Sequence, residues 1–325
     1  MNEKKLLIAL AGNANVGKSV IFNYLTGLHQ HIGNWPGKTV ERAEGTLRFR
    51  GYTIDIVDLP GIYSLSTYSL EELVSRKYIA VERPDMVINV VDASVLERNL
   101  FFTLQLMELE TPMVIALNQM DIAKGKGIKI NTAALETMLG VAVVPTVAVK
   151  GIGIDKLLEK VIETVEKGSV EKPPQVMYGE EVERRVGVLV EKMKGIQFVY
   201  PPRYVAIKLL EGDKEIEQEF GRIAPDVVSV AEKLAGEIER LHGHGCSTVM
   251  TSERYEAAGC IVRASQKLVP PIKPTSGERL HDLTTHKVMG YAILIFSLLA
   301  IFYSIFTFGD FTSGLLSDLP PTTRS

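Results

Sequence analysis

Gly12-Asn13-Ala14-Asn15-Val16-Gly17-Lys18-Ser19 follows the apolar run Leu6-Leu7-Ile8-Ala9-Leu10-Ala11 and precedes Val20-Ile21-Phe22-Asn23-Tyr24-Leu25. The octet fits the phosphate-binding pattern G-x-x-x-x-G-K-[ST]. Its flanks read as a strand and a helix, and Gly27 is placed to stop that helix. Successive backbone N–H groups of such a turn converge on an anion, and the helix adds the positive end of its dipole. Gly12 and Gly17 allow a close approach that a side chain would block. Lys18 is the expected point charge on the β- and γ-phosphates, and the Ser19 hydroxyl a Mg²⁺ ligand.

Working outward, apolar strands and helical patterns alternate as far as residue 166. Arg42–Val57 reads as a hairpin turning at Gly51, and Met86–Val91, Met113–Leu117 and Val141–Val144 read as strands. Val95–Leu109, Thr132–Leu139 and Asp155–Glu166 have helical spacing. This order implies an α/β fold, a parallel sheet with helices on both faces. Past Glu171-Lys172-Pro173-Pro174 helical patterns dominate: Glu180–Met193, Lys208–Leu210, Ile216–Phe220, Val227–Leu241 and Ser252–Lys267. The expected organisation is a nucleotide-binding domain over 1–168, a helical domain over 169–270, a linker over 271–287, an apolar span over 288–309 and a tail over 310–325.

Val288–Gly309 holds no charged residue and is long enough to cross a hydrocarbon core of about 30 Å as a helix. Lys273, Arg279 and Lys287 precede it and Asp310 and Asp318 follow, which predicts a cytoplasmic N-terminal part. One span makes no pore, so the chain reads as a fragment of a longer polypeptide. The net charge of −3 and the lack of a long basic run leave no electrostatic footprint for a nucleic-acid partner. Two cysteines, Cys246 and Cys260, are too few for a disulfide framework and lack zinc spacing.

Three further patches follow the phosphate loop, each at the C-terminal end of an expected strand, where open α/β sheets bind ligands. Asp58-Leu59-Pro60-Gly61 places a carboxylate for Mg²⁺ and a backbone N–H for the γ-phosphate. Asn118-Gln119-Met120-Asp121 suits guanine, because Asp121 accepts from the ring N1–H and the exocyclic amine, which adenine cannot offer together. Thr146-Val147-Ala148 places a backbone N–H for the guanine oxygen. Thr39, between the phosphate loop and the hairpin, sits where a loop closes over Mg²⁺ and the γ-phosphate. The expected ligands are therefore GTP or GDP with Mg²⁺ held by Ser19, Thr39 and Asp58.

The ordered set resembles the small-G-protein fold of P-loop GTPases. Together with Gly33-Asn34-Trp35-Pro36-Gly37-Lys38-Thr39-Val40-Glu41 and Asp58–Leu65, it is similar to the N-terminal cytoplasmic part of the ferrous iron transport protein B family, FeoB. Glu253-Arg254-Tyr255-Glu256 is similar to that family's helical-domain signature, and Asp282-Leu283-Thr284-Thr285-His286-Lys287 to its entry into the first membrane helix. The resemblance implies a GTPase domain, a helical domain that slows GDP release, and an Fe²⁺ permease in the cell's inner membrane, multi-pass in the full-length protein. It implies partners in the remaining permease helices; small cytosolic accessory proteins of iron uptake and a second copy of the chain are further candidates. It also carries Gly37, Lys38, Thr39, Val40 and Glu41 into the nucleotide site. Val147 departs from it, standing where many relatives have Ser; a backbone contact at Ala148 survives that change.

Ile62 stands where many G proteins carry a water-orienting Gln, so intrinsic hydrolysis is expected to be slow. In relatives with G-x-x-N-x-G-K-[ST], the residue at Asn15 and the backbone around Gly33-Asn34-Trp35 look able to hold K⁺, which would act electrostatically as an arginine finger does. Trp35, the only tryptophan, is expected in a switch loop. His242-Gly243-His244-Gly245-Cys246 reads as a polar loop rather than an iron site, since no third ligand follows at metal spacing. Competing readings are a soluble GTPase of ribosome or tRNA maturation, which predicts a basic domain and no span, and a non-catalytic GTP-dependent docking switch.

Overall fold

Ile8, Leu10, Ile56, Ile88, Val90 and Val114 have no or almost no exposed surface, as strands covered on both faces require. The computed structural model describes residues 4–27, 30–35, 38–65, 69–166, 172–269, 283–286 and 288–317. In chain order these residues form β1 (Lys4–Gly12), α1 (Lys18–Thr26), β2 (Gln30–Asn34), β3 (Glu41–Phe49), β4 (Tyr52–Asp58), α2 (Leu70–Glu82), β5 (Met86–Asp92), α3 (Leu96–Glu108), β6 (Met113–Asn118), α4 (Met120–Gly125), β7 (Ile128–Ile130), α5 (Thr132–Leu139), β8 (Ala142–Pro145) and α6 (Ile154–Glu166). Then come α7 (Glu180–Lys192), α8 (Pro202–Glu211), α9 (Lys214–Gly221), α10 (Pro225–His242), α11 (Cys246–Ser265), β9 (Gln266–Leu268) and α12 (Met289–Ser317). The expected linker 271–287 lies outside the described residues except for 283–286.

The main sheet has seven strands in the order β2-β3-β4-β1-β5-β6-β8. β4, β1, β5, β6 and β8 run parallel; β2 and β3 add an antiparallel edge. The parallel register sets Ile8 beside Ile56 and Met86, and Ala116 beside Val144. On one face Ile8, Leu10, Ile54 and Val114 pack with Ile21, Phe22 and Leu25 of α1 and Leu157 and Val161 of α6. On the other, Ala9, Val57, Val87, Ile115 and Leu117 pack with α2 and α3. α2 starts at Ser69, whose side chain accepts the Glu72 N–H, half of a capping box.

That second apolar layer continues without a break into α7–α11 through Val186, Leu189, Tyr204, Leu210, Phe220, Ile238, Met250 and Ala258. Residues Met1–Val269 accordingly form one compact unit. α11 ends at Ser265, two residues short of the expected Lys267, because Gln266 turns extended and β9 pairs antiparallel with β7. The bonds Asn131 N–H to Ser265 O and Val269 N–H to Gly127 O, both 2.7 Å, close that small ladder.

The second unit, Pro270–Ser325, contains α12. Its segment Met289–Gly309 is 21 residues long and reaches a mean hydropathy of 2.2 over 18 of them, long and apolar enough to cross a membrane. The hydroxyls of Ser297, Ser304 and Thr307 donate to the carbonyls of Leu294, Ala300 and Tyr303 on their own helix. Their polarity is thereby satisfied internally, which a hydrocarbon surrounding demands.

Candidate functional site

The C-terminal ends of β1, β4, β6 and β8 bring the expected patches to one edge of the sheet. Between β1 and α1 the chain turns at Gly17, in the left-handed region at φ 88°. A β-carbon at Gly17 would lie 2.4 Å from the Asn118 amide nitrogen, so both backbone and space require glycine. The Asn118 side chain, 3% exposed, staples three segments. Its amide donates to Val16 O at 2.8 Å, and its oxygen accepts from Ala148 N–H at 2.9 Å and from the Thr146 hydroxyl at 3.2 Å. Gln119, left-handed at φ 60°, donates from its amide to Asn15 O at 3.1 Å. The phosphate loop and the Asn118–Asp121 and Thr146–Ala148 patches are thus one hydrogen-bonded body.

Asp58 at the end of β4 is paired with Lys18, and both side chains are about nine-tenths buried. Burial pushes the Asp58 carboxyl above the usual carboxylate range, and the Lys18 ammonium pulls part of that back. Asp121 accepts from Lys150 Nζ at 2.9 Å and from Ile122 N–H at 3.0 Å. The Lys150 hydrogen bond holds its carboxyl below the usual range. Lys150 carries no motif signal; its place after Thr146-Val147-Ala148 and before Gly151 is the only hint the sequence offers.

The loop after α1 is arranged differently. Gly33 and Asn34 are committed to the β2–β3 ladder opposite Arg42 and Glu41. Trp35 N–H donates to Val40 O and Lys38 N–H to Trp35 O, both at 2.9 Å. Trp35 is 8% exposed, edge-on to Tyr78 of α2 at 5.2 Å and beneath the Arg42 guanidinium at 4.7 Å. Thr39 is exposed on this turn, and among the described residues no hydrogen bond joins it to Ser19 or Asp58. Gly37 lies outside the described residues. Leu59 and Ile62 are buried, Ile62 within the apolar layer that holds Trp35 and Leu65, so its side chain presents no polar atom.

Behind the site, two buried arginines tie the sheet layer to the helical segment. Arg254 of α11, 1% exposed, donates to both oxygens of Glu108 on α3, at 2.7 and 3.0 Å, and also pairs with Glu211 of α8. Tyr178 hydrogen-bonds Glu108, and Lys208 pairs with Glu211 at 2.7 Å. Glu253 accepts Gly179 N–H at 2.6 Å, and Tyr255 stacks on Phe101 at 4.7 Å. Arg76 of α2, fully buried, meets Asp213 at 2.6 Å and Glu215. In the His242–Cys246 stretch, His242 Nε2 lies 3.3 Å from Glu181, and burial pushes the Cys246 thiol up to about 12.

The profile of the family described as "Ferrous iron transport protein B" matches residues 6–161, and that of "FeoB cytosolic helical domain" matches residues 178–267. The chain belongs to the FeoB family. It is 38% identical over 320 residues to an Fe(2+) transport protein A/Fe(2+) transporter FeoB fusion protein of Porphyromonas gingivalis, an alignment covering 95% of this chain and 38% of that protein. It is 40% identical over 296 residues to the Fe(2+) transporter FeoB of Methanocaldococcus jannaschii, covering 90% and 43%. The chain therefore spans about two fifths of the length of these curated relatives. Among solved structures, a GDP-bound mutant of the S. thermophilus FeoB G-domain superposes with a TM-score of 0.72 at 36% identity, covering 81% of this chain and 100% of that one. The cytosolic domain of the T. maritima FeoB iron transporter in its apo form gives 0.71 at 34%, with coverage of 81% and 100%. The sheet and its helices are thus a FeoB-type G domain, and α7–α11 are the helical part of the FeoB cytosolic region. The soluble ribosome- or tRNA-maturation alternative receives no support from these matches.

Proposed function

We propose that this chain binds GTP and GDP with Mg²⁺, hydrolyses GTP slowly, and is the cytoplasmic part and first membrane span of an Fe²⁺ uptake transporter. The observation that carries the nucleotide reading is the Asn118 staple, which fixes a phosphate loop and two base-facing patches as one body. The GDP-bound G-domain relative supports guanine. The identity of these relatives as Fe(2+) transporters supports the iron assignment. The lengthy apolar segment of α12 supports a membrane location, and the fusion relative supports a small accessory partner.

In this reading the N–H groups of Asn13 to Ser19 receive the phosphates, and Lys18 leaves Asp58 to meet their charge. The hydroxyls of Ser19 and Thr39 and the Asp58 carboxylate are hard-oxygen donors that would hold Mg²⁺, and the ion would supply charge neutralisation to the phosphates. Asp121 leaves Lys150 to accept from guanine, and the Ala148 N–H leaves the Asn118 oxygen to donate to the base oxygen, while Asn118 keeps its bonds to Val16 O and the Thr146 hydroxyl. Thr39 and the backbone of Gly33–Trp35 are the groups of this segment that would approach Mg²⁺ or K⁺, and here Gly33 and Asn34 are held in the β2–β3 ladder. The aliphatic Ile62 leaves no side chain at that position to orient water, so turnover is slow. We assign the G domain to 1–168 and the helical domain to 169–270. The grip of Asp213 and Glu215 on Arg76 of α2 supports a role for the helical domain in retaining GDP.

Base choice is the sharpest test. Asp121→Asn replaces an acceptor that guanine needs with an amide that can donate to the carbonyl of xanthine. The variant should lose GDP affinity by on the order of 10⁴-fold, as expected when buried polar groups are left unpaired, and gain xanthosine diphosphate binding. An unchanged GDP affinity would remove Asp121 from the base site.

A further inference from the structure

The phosphate loop contains a buried polar side chain that the reading above leaves without a task. Asn13 is 3% exposed, and neither its amide oxygen nor its amide nitrogen has a hydrogen-bond partner among the described residues. Buried amides in native structures are almost always paired, so an orphan of this kind marks a group whose partner arrives in another state.

The backbone on either side of Asn13 shows which segment that is. Gly12 O accepts from Ile62 N–H across a stretched 3.3 Å, and earlier on both segments Leu10 O accepts from Leu59 N–H at 3.0 Å. On the other side, a β-carbon at Gly61 would come within 3.1 Å of Ala14 Cα. The Asp58–Ile62 loop therefore touches the phosphate loop immediately before and immediately after Asn13. This loop offers only backbone polarity there, because Leu59 and Ile62 are apolar and buried. The Gly61 N–H makes no hydrogen bond among the described residues.

We propose that Asn13 is a positioning residue that distinguishes the triphosphate from the diphosphate state. Its amide nitrogen donates to a carbonyl of Leu59–Ile62, and its oxygen accepts the Ile62 N–H released from the long bond to Gly12 O, once that loop shifts and the Gly61 N–H turns to a γ-phosphate; it stands unpaired when the γ-phosphate is absent. A carboxamide suits the task because it both donates and accepts, and so can satisfy the C=O and N–H of a backbone segment together. Asn13 would then stabilise the loop position through its side chain, its backbone N–H being left to the phosphates. This inference rests on the nucleotide reading above.

The test compares two ligands on the full chain in detergent. Dissociation constants for GDP and for a β,γ-imido analogue of GTP are measured by calorimetry in wild type and Asn13→Ala. Thermal unfolding without nucleotide checks that the variant folds. The expected result is an analogue affinity that falls about tenfold more than the GDP affinity does, the scale of one lost net hydrogen bond. The unfolding temperature without nucleotide should rise, because the orphan amide is gone. A merely structural role would move both affinities together, and an unchanged analogue-to-GDP ratio would overturn the proposal. A wild-type chain that binds neither ligand would overturn the nucleotide reading as well, so the wild-type arm tells the two failures apart.

Discussion

Two regions of this molecule are built from charged side chains, and they use charge in opposite ways. At the sheet edge, Lys18–Asp58 and Lys150–Asp121 join groups that the proposed ligand must separate. At the seam with the helical segment, Arg254 lies among Glu108, Glu211 and Tyr178, and Arg76 among Asp213 and Glu215, with no ligand to compete for them. The first kind of pair keeps charges compensated until a substrate replaces one partner. The second fixes the register of two layers. Helix α2 belongs to both regions: Tyr78 packs on Trp35 of the loop before β3, and Arg76 sits in the seam.

Breaking a seam pair should have the largest effect. Arg254→Ala leaves Glu108 and Glu211 buried without their shared cation and should cost about 3–5 kcal/mol of stability in denaturant unfolding. A loss near that of a surface pair, about 1 kcal/mol or less, would show that the seam is not locked by charge.

Acid should reveal the same seam more gently. Burial opposes ionisation of Glu211, but Lys208 and Arg254 together hold its carboxyl down at about 2, against an ordinary value of 4.5. A depressed folded value contributes stability above pH 4.5 that is lost as pH falls toward 2. The loss should be of order 2–3 kcal/mol across that window and should flatten in Glu211→Gln, read from unfolding midpoints at stepped pH.

The site pairs should behave differently again. Lys150→Ala removes an exposed partner of Asp121 and should leave the unfolding midpoint where it was. GDP affinity should tighten by no more than about threefold, because the base no longer displaces an ammonium. A large fall in affinity would instead make Lys150 a support for the bound state.

The contrast also explains what could be read in advance. Gly12–Ser19, Asp58–Gly61, Asn118–Asp121 and Thr146–Ala148 are short contiguous runs at strand ends, so local pattern places them together. The helical-domain signature Glu253–Glu256 was visible as a string, but its use was not. Arg254 meets Glu108 across 146 residues and Arg76 meets Asp213 across 137, distances over which no periodicity reports. β2 leaves no local signal, because Gln30-His31-Ile32-Gly33-Asn34 has no apolar alternation and owes its strand form to pairing with β3. β7 and β9 are three-residue strands that exist only through each other. The start of α2 was within reach, since Ser69 to Glu72 spells a capping box.

The most direct test of the central claim is isothermal calorimetry of the purified chain with GDP and with ADP, in the presence of Mg²⁺. The account predicts one GDP site, no detectable ADP binding, and loss of the GDP signal in Lys18→Ala. Equal affinity for the two nucleotides, or a GDP isotherm that Lys18→Ala leaves intact, would contradict it.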